Sequence, residues 1–418
     1  MLDQIIKYSH KMVADRSAHP NHIAFAAQDD IMISDGDKAL APLVSDILSR
    51  LNCLALAAAR PSLPFADFLI RRSGIREHEI VPRDTETRTF LHDIPILRQS
   101  ELGSDPSQTI ARLLGNRKGI VVEGIGIISN GALTVEQAYI NWTSVFHSTF
   151  IKYLEDILEH GFRLPGEEES FNYFRKEWLL PLSAEGLEFR QGPIDDKAVI
   201  LDEIARVGRY TVQRGLVDSF FGNISYSNGD LIYISQTASS LDELHGCIDP
   251  VPFENSSTVG ITASSELAAH RSIFEATGCH SILHGHPRFA VVMSMLCDEK
   301  TNCPVSDCWK DCSKVRYLGG TPVVAGEIGA GGIARNVPPV IGETGRAIVY
   351  GHGVFSIGMA DFQAAFQALM DVENWCRNEY FRRFDKRFGL PSHVIPISNQ
   401  RCSQGGEDCG GGGIHSVC

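Results

Sequence analysis

The chain has 418 residues, enough for two or three domains that each bury a core of their own. Its formal net charge of -13 argues against nucleic-acid binding, because contact along a phosphate backbone needs clustered Lys and Arg; a small anionic substrate remains compatible with it. The N-terminus lacks an apolar signal segment, and no stretch of about eighteen apolar residues occurs. We therefore expect a soluble, cytoplasmic protein without a membrane partner.

The first half of the chain predicts a strand-turn-helix unit that recurs in the second half. GIVVEGIGIISNG at 119–131 is matched by RAIVYGHGVFSIG at 346–358, an offset of 227 residues, and IPIL at 94–97 is matched by TPVV at 321–324 at the same offset. Both copies continue with apolar residues at helical spacing. These are Val135, Ala138, Tyr139 and Trp142 in the first copy, and Phe362, Ala365, Phe366 and Leu369 in the second. We predict a layered α/β domain, present twice.

The beginnings of the two copies align at a smaller offset. HIAFAAQDDIMIS at 22–34 resembles NISYSNGDLIYIS at 223–235, an offset of 201 residues, which places Asn223 approximately opposite His22. The second copy therefore carries about 25 additional residues, within 236–263.

These matches divide the chain into four parts. We predict a first copy at 1–160, a connector at 161–195, a second copy at 196–390 and a tail at 391–418. The tail is rich in Gly and Cys and has no apolar pattern, which is typical of disorder.

Three histidines of the second copy are candidate metal ligands. His284 and His286 lie in SILHGHPRFAVV, where residues two apart on a strand share a face, and His352 lies between two glycines. Three neutral imidazoles are a common zinc set that leaves a position open for substrate. The alternative is that they are hydrogen-bonded core histidines. The first copy has Ile125 opposite His352 and roughly 58–60, Ala-Ala-Arg, opposite the pair, so packing does not require them.

Glu266 disappears from the first copy together with the histidines, since its counterpart falls near Leu40. It stands at the start of a predicted helix for which Ser264 or Ser265 suits the N-cap. The plain interpretation is a first-turn acid favoured by the helix dipole. Beside a dication, the same carboxylate could act as a general base while the metal stabilises an enediolate.

The ordered series GNIS at 222–225, SSEL at 264–267, HGHP at 284–287 and GHG at 351–353 resembles the class II aldolase/adducin family. The resemblance covers most of 200–385 and, in degenerate form, much of 1–160. It implies a central, mainly antiparallel sheet flanked by helices, and oligomers with sites at subunit interfaces. It also implies zinc on the three histidines and Glu266 as acid/base. The implied phosphate cradle comprises Asn223, Thr237, Ser264 and Ser265.

The chain departs from the family pattern in three places. SQTASS at 235–240 lacks the usual glycine of the phosphate loop, so whether the substrate carries phosphate stays open. Four cysteines follow HGHP and could hold a second metal or be free thiols. They are Cys297, Cys303, Cys308 and Cys312. The first copy lacks the candidate site, and we expect it to be an inactive partner that covers the second copy's site or mimics a neighbouring subunit.

The leading hypothesis is a zinc-dependent lyase of carbohydrate metabolism that performs retro-aldol cleavage of a small hydroxylated, phosphorylated carbonyl compound and assembles as a homo-oligomer. Epimerisation, decarboxylation or dehydration at the same metal is the alternative. A non-enzymatic, adducin-like interaction protein is a further alternative, although such a scaffold would not need Glu266 and the three histidines.

Overall fold

The structure is a computed structural model that describes residues 1–28, 32–33, 39–217, 220–254, 262–298, 303–327 and 329–389. The tail predicted at 391–418 lies outside the described residues. No helix in these ranges combines the length and the apolar character needed to cross a membrane.

A seven-stranded sheet forms the centre of the first copy, in the order β2-β1-β3-β7-β6-β5-β4. All neighbouring strands are antiparallel except β5 and β6. The strands are β1 (Ala18–Ala27), β2 (Met32–Ile33), β3 (Ala55–Pro61), β4 (Glu79–Ile80), β5 (Ile94–Leu97), β6 (Gly119–Val122) and β7 (Gly126–Gly131). The helices are α1 (Leu2–Ala14), α2 (Leu40–Ser49), α3 (Phe65–Arg72), α4 (Thr85–Leu91), α5 (Pro106–Leu114) and α6 (Val135–His160).

An eight-stranded sheet forms the centre of the second copy, in the order β10-β9-β8-β11-β15-β14-β13-β12, again with one parallel pair, β13 and β14. The strands are β8 (Asn223–Ser227), β9 (Leu231–Ser235), β10 (Ile248–Pro252), β11 (Ser281–Gly285), β12 (Arg316–Leu318), β13 (Thr321–Val324), β14 (Arg346–Val349) and β15 (Gly353–Gly358). The additional strand, β10, lies in the segment that the alignment identified as extra, and it extends the sheet at the β9 edge.

Helices α7 (Glu167–Glu177) and α8 (Lys197–Gln213) join the two sheets. The remaining helices belong to the second copy. They are α9 (Leu267–Thr277), α10 (Arg288–Met295), α11 (Cys308–Asp311), α12 (Gly329–Asn336), α13 (Pro338–Thr344) and α14 (Phe362–Phe388).

The offset of 227 residues is kept element by element in the structure. Strands β5 and β13, β6 and β14, and β7 and β15 begin and end at matching positions, and so do the starts of α6 and α14. Even the helix caps correspond: Thr134 accepts a hydrogen bond from the backbone of Gln137, and Asp361 accepts one from that of Gln363. The fold predicted from the sequence, a helix-flanked and mainly antiparallel sheet present twice, is confirmed.

The approximate match of Asn223 with His22 is wrong by two residues. Asn223 pairs with His284 across β8 and β11, whereas in the first sheet Ala58, the counterpart of His284, pairs with Ala24. The reason is that the two β-hairpins differ in length: Ala26 pairs with Ile33 in one, and Ser225 with Ile234 in the other. An ungapped alignment across the turn therefore carries the wrong register into the first strand.

The two copies share one hydrophobic core. It lies between the sheets and contains α6 and α14 residues together with parts of α3, α8 and α10. Phe150 of the first copy packs against Phe289 of the second with ring centroids 6.3 Å apart, and the buried Tyr380 hydroxyl donates to the carbonyl of Leu154 at 2.7 Å. Separate outer cores lie on the far face of each sheet, under α2 and α5 in one copy and under α9, α12 and α13 in the other.

Candidate metal centre

Three imidazoles converge where β11 ends and β14 turns into β15. His284 belongs to β11, His286 follows its last residue, and His352 occupies the turn. Their candidate ligand atoms all lie within 4.8 Å of one another, and the Nε2 atoms of His284 and His286 are 2.9 Å apart. In the described ranges, this is the one group of three or more Cys, His, Asp or Glu side chains with such spacing. The structure therefore brings together the histidines that the sequence singled out.

Gly353 allows this close approach. A Cβ atom built at Gly353 would collide with the carbonyl oxygen of Gly285 and would lie 2.9 Å from ring atoms of both His284 and His286. Contacts below 3.0 Å force a neighbour to move. Glycine is thus required because the ligand rings fill the space that any side chain would need.

The histidine cluster has the donor chemistry that a divalent ion requires. The Nδ1–H of His284 donates to the carbonyl of Val354 at 3.0 Å, which leaves its Nε2 lone pair free. Burial lowers the pKa of His284 to about 4 and that of His286 well below its ordinary value, so both are neutral at neutral pH. The buried Nδ1 of His286 has no hydrogen-bond partner among the described residues. Neutral imidazoles with free lone pairs fit a divalent metal.

Glu266 lies beside the histidines, at the position preceding α9. Its Oε1 accepts from His352 Nε2 at 3.1 Å, and its Oε2 is 3.4 Å from His284 Nε2. Burial alone would raise the pKa of Glu266, but the adjacent imidazoles hold it well below the usual range. Burial likewise would lower the pKa of His352, yet Glu266, with Glu86 behind it, raises it to about 9. Without metal, His352 and Glu266 form an ion pair; an ion would replace the proton on His352 Nε2.

A buried hydrogen-bond chain holds the other oxygen of Glu266. Asn223 Nδ2 donates to Glu266 Oε2 at 2.8 Å, Asn223 Oδ1 accepts from His270 Nε2, and His270 Nδ1 accepts from Ser225 Oγ at 2.6 Å. Every group in this chain is satisfied by one tautomer, the neutral Nε2–H form of His270. Burial lowers the pKa of His270 to about 3, consistent with that form. The chain fixes the orientation of the Glu266 carboxylate.

The residues expected to form the phosphate cradle are placed differently from one another. Asn223 directs its amide to Glu266 and His270, the Thr237 hydroxyl donates to the carbonyl of Ala263 at 2.9 Å, and Ser265 is exposed. Ser264 is buried, and its hydroxyl accepts from the backbone of Glu266 at 3.3 Å. The cradle remains a prediction.

The predicted helix start is wrong. α9 begins at Leu267 with Glu266 in the N-cap position, and no side chain caps it. The hydroxyl of Ser264 stabilises the turn before the helix instead, and the carboxylate of Glu266 points to the histidines.

The first copy contributes side chains that the sequence did not indicate. Oε2 of Glu86, in α4, lies 3.4 Å from Nδ1 of His352. Phe221, in the segment that precedes β8, stacks on His286 with ring centroids 5.7 Å apart and also contacts Phe90 of α4 at 6.3 Å. No pattern in the sequence distinguishes Glu86 from other first-turn acids, because its target lies 266 residues away in the chain.

The cysteines of the loop after α10 are partly buried free thiols. These are Cys297, Cys303, Cys308 and Cys312. Burial, together with the neighbouring cysteines, raises the pKa of the Cys308 thiol. They are near enough to influence one another electrostatically, and the second metal stays a prediction.

Comparison with known proteins supports the family resemblance for the second copy. Residues 202–380 match the family model described as Class II Aldolase and Adducin N-terminal domain. This match confirms the resemblance predicted from the GNIS, SSEL, HGHP and GHG motifs. No curated protein matches the sequence.

Solved structures resemble about half of the chain. L-fuculose-1-phosphate aldolase from Thermus thermophilus is 22% identical, with a TM-score of 0.37, over 46% of this chain and 98% of that one. An aldolase II superfamily protein from Pseudomonas syringae is 15% identical, with a TM-score of 0.35, over 49% and 82%. A sugar-phosphate aldolase from Thermotoga maritima is 15% identical, with a TM-score of 0.33, over 46% and 97%.

Proposed function

We propose that the protein is a metal-dependent aldehyde-lyase, with zinc as the first candidate metal, that cleaves a small hydroxylated and phosphorylated sugar-like carbonyl compound. The observation that carries this proposal is the oriented carboxylate of Glu266 within reach of His284 and His352. A base and an ion site share one buried pocket in the copy that matches the family, and the aligned positions of the first copy have neither.

The side chains of the site divide the chemistry. His284, His286 and His352 would hold the ion, which when bound supplies electrophilic stabilisation of negative charge on substrate oxygens. Glu266 accepts the proton of the substrate hydroxyl group whose C–O bond becomes the new carbonyl, and the carbon–carbon bond next to it breaks. Asn223 holds Oε2 of Glu266 during this transfer. The protonated carboxyl can then return its proton to the carbanionic carbon of the second product.

A non-enzymatic scaffold is the competing function, since the matching family also includes adducin. The ligand set argues for the enzyme. Four ionisable side chains at the centre of the site, Glu266 and the three histidines, are largely buried and mutually close, which costs free energy that a scaffold would not need to spend. Epimerisation, decarboxylation or dehydration would use the same residues and differ in which substrate bond is aligned.

The decisive experiment combines metal analysis with a substrate screen. Purified protein is assayed for zinc, manganese, iron and cobalt, and then with sugar phosphates and hydroxy-keto acids, alongside the Glu266→Gln variant. We expect this variant to retain metal and lose turnover by about 100-fold or more, because a general base is removed. Glu275→Gln is the matched control, an exposed carboxylate on the same helix. Protein that binds no metal and gains no activity on metal addition would favour the scaffold.

The same metal analysis tests the cysteine loop. A second ion bound by the four cysteines would remain in a His284→Ala variant and be lost from Cys308→Ser. Free thiols would instead give one ion per chain, all of it lost with His284.

We also propose a cytoplasmic homo-oligomer. Eight cysteines in the described ranges are free thiols, which is typical of a reducing compartment. Light scattering of the purified protein measures the assembly.

A further inference from the structure

The first copy reaches the metal centre through the start of α4. The backbone N–H of Thr85 donates to the carbonyl of Gly351 at 2.7 Å, and its hydroxyl donates to the same oxygen at 3.1 Å. On the other side, the N–H of Gly351 donates to Ser294 Oγ at 2.8 Å. Gly351 immediately precedes the ligand His352. The turn that carries this ligand is therefore held between α4 of one copy and α10 of the other.

The beginning of α4 is itself rigidly capped. The buried carboxylate of Asp84 accepts from the backbone N–H of Thr87 at 2.7 Å and from its hydroxyl at 2.5 Å. An N-cap of this kind fixes the first turn of a helix, which includes Glu86. The position of the Glu86 carboxylate is thus set by backbone contacts and does not depend on a flexible surface loop.

We infer that Glu86, from the otherwise inactive first copy, is a positioning residue for the metal ligand His352. A ligating histidine binds through one ring nitrogen and donates the N–H of the other to a fixed acceptor. For His284 that acceptor is the carbonyl of Val354, in its own copy. For His352 the group nearest Nδ1 is Oε2 of Glu86 at 3.4 Å, while Nε2 faces Glu266. This inference rests on the proposed metal site and adds to it a residue from the other half of the chain.

The role differs from that of a cover. A covering domain would exclude water from the site whichever residue stood at position 86. A positioning carboxylate selects the tautomer of His352 that presents Nε2 to the ion, so the metal affinity depends on the hydrogen-bond acceptor at this one position. The first copy lost its own histidines but would retain a function in the second copy's ligand geometry.

The test measures metal affinity in the full chain. Zn²⁺ and Co²⁺ dissociation constants are measured by chelator competition for wild type, Glu86→Ala and Glu86→Gln, with the visible Co²⁺ spectrum as a second readout. We expect Glu86→Ala to bind about 10- to 100-fold more weakly with an altered spectrum, and Glu86→Gln, which keeps an acceptor oxygen, to recover most of the affinity. Glu77→Ala, an exposed carboxylate of the same copy, should behave as wild type.

The outcomes separate this inference from the proposed function. Wild-type protein that binds neither ion removes the proposed function, and the role of Glu86 with it. Wild-type binding together with unchanged affinity and spectrum in Glu86→Ala overturns the role of Glu86 alone. Thermal melting of the metal-free variants identifies misfolding, and an equal loss in Ala and Gln variants with lowered melting temperatures would assign Glu86 to packing instead.

Discussion

Thr85 and Gly351, which are 266 residues apart in the chain, are joined by two hydrogen bonds to one carbonyl oxygen. They connect the two halves of the protein directly beside a candidate metal ligand. The second sheet contains all three histidines, yet the turn that holds His352 is supported from outside its own copy. The functional unit is therefore larger than the segment that matches the family model.

We expect a fragment spanning 190–390 to lose activity and to aggregate. Its last helix, α14, would expose apolar residues that normally pack in the shared core, such as Phe381 and Phe384, which lie 6.2 and 5.2 Å from Phe171 between ring centroids. Activity assays and light scattering measure the outcome, and co-expression with 1–189 as a separate chain is the control that should restore activity. A fragment with undiminished activity and unchanged assembly would show that the first copy neither covers nor supports the site.

Substituting Gly353 by alanine should weaken metal binding. The new methyl group would collide with the Gly285 carbonyl and crowd the rings of His284 and His286, which must then move apart. We expect the metal dissociation constant to rise by about 10- to 100-fold, comparable with the loss of a supporting residue. Gly342→Ala is the control, since a Cβ there has no neighbour closer than 3.8 Å. Equal affinities in the two variants would mean that the ligand rings tolerate displacement.

Removing the Ser225 hydroxyl should slow turnover more than it lowers stability. Without this donor, His270 can carry its proton on Nδ1, and the hydrogen bond to Asn223 that orients Glu266 is then lost. We expect Ser225→Ala to cost about 1 kcal/mol in the free energy of unfolding and to lower kcat. Ser356→Ala is a matched control, because it also loses a buried hydroxyl that donates to a backbone carbonyl, at 3.2 Å from Leu283. The prediction fails if kcat falls equally in both.

Glu373 should make stability depend on pH. It lies on α14 and accepts the backbone N–H groups of Phe289 and Ala290 at the start of α10, at 3.0 and 2.8 Å. Burial raises its pKa from 4.5 to about 7, although these hydrogen bonds act in the opposite direction. The folded state therefore binds a proton that the unfolded state releases above pH 4.5, so this stabilisation is complete below pH 4.5 and is lost as pH rises through about 7.

Denaturant unfolding at several pH values, compared between wild type and Glu373→Gln, measures this effect. Other carboxylates titrate in both proteins, so the difference between the two isolates Glu373. Relative to the variant, we expect wild type to lose on the order of 2–3 kcal/mol of unfolding free energy between about pH 4.5 and pH 8. Parallel pH profiles would indicate that the two backbone N–H groups keep the carboxylate ionised in the folded state.

The repeat made much of the fold predictable. Identical spacing of strands and helix in both copies fixed the placement of β13 to β15 and α14 relative to β5 to β7 and α6, since each element buries the same face in both copies. The alignment failed where the hairpins differ in length, between β1 and β8. There the apolar pattern alone does not reveal a two-residue change in the turn.

The metal ligands were predictable because each is an unusual residue whose counterpart in the first copy is inert. His270 stood in the sequence merely as part of a helical stripe, and Glu86 as an ordinary first-turn acid. Their roles depend on contacts made across the sheet and between copies, which no local pattern encodes. The same reason explains the misplaced cap of α9: the ion-site contacts of Glu266 take precedence over local capping preference.

The shared core has a consequence for how the chain is made. Helix α6 buries its apolar face partly against α10, and the Leu154 carbonyl accepts its hydrogen bond from Tyr380, near the end of the described chain. During synthesis the first copy therefore leaves the ribosome with one face of its longest helix uncovered, and it stays so until more than 200 further residues have been added. A nascent chain of this kind exposes apolar surface for many seconds and depends on chaperones during that interval.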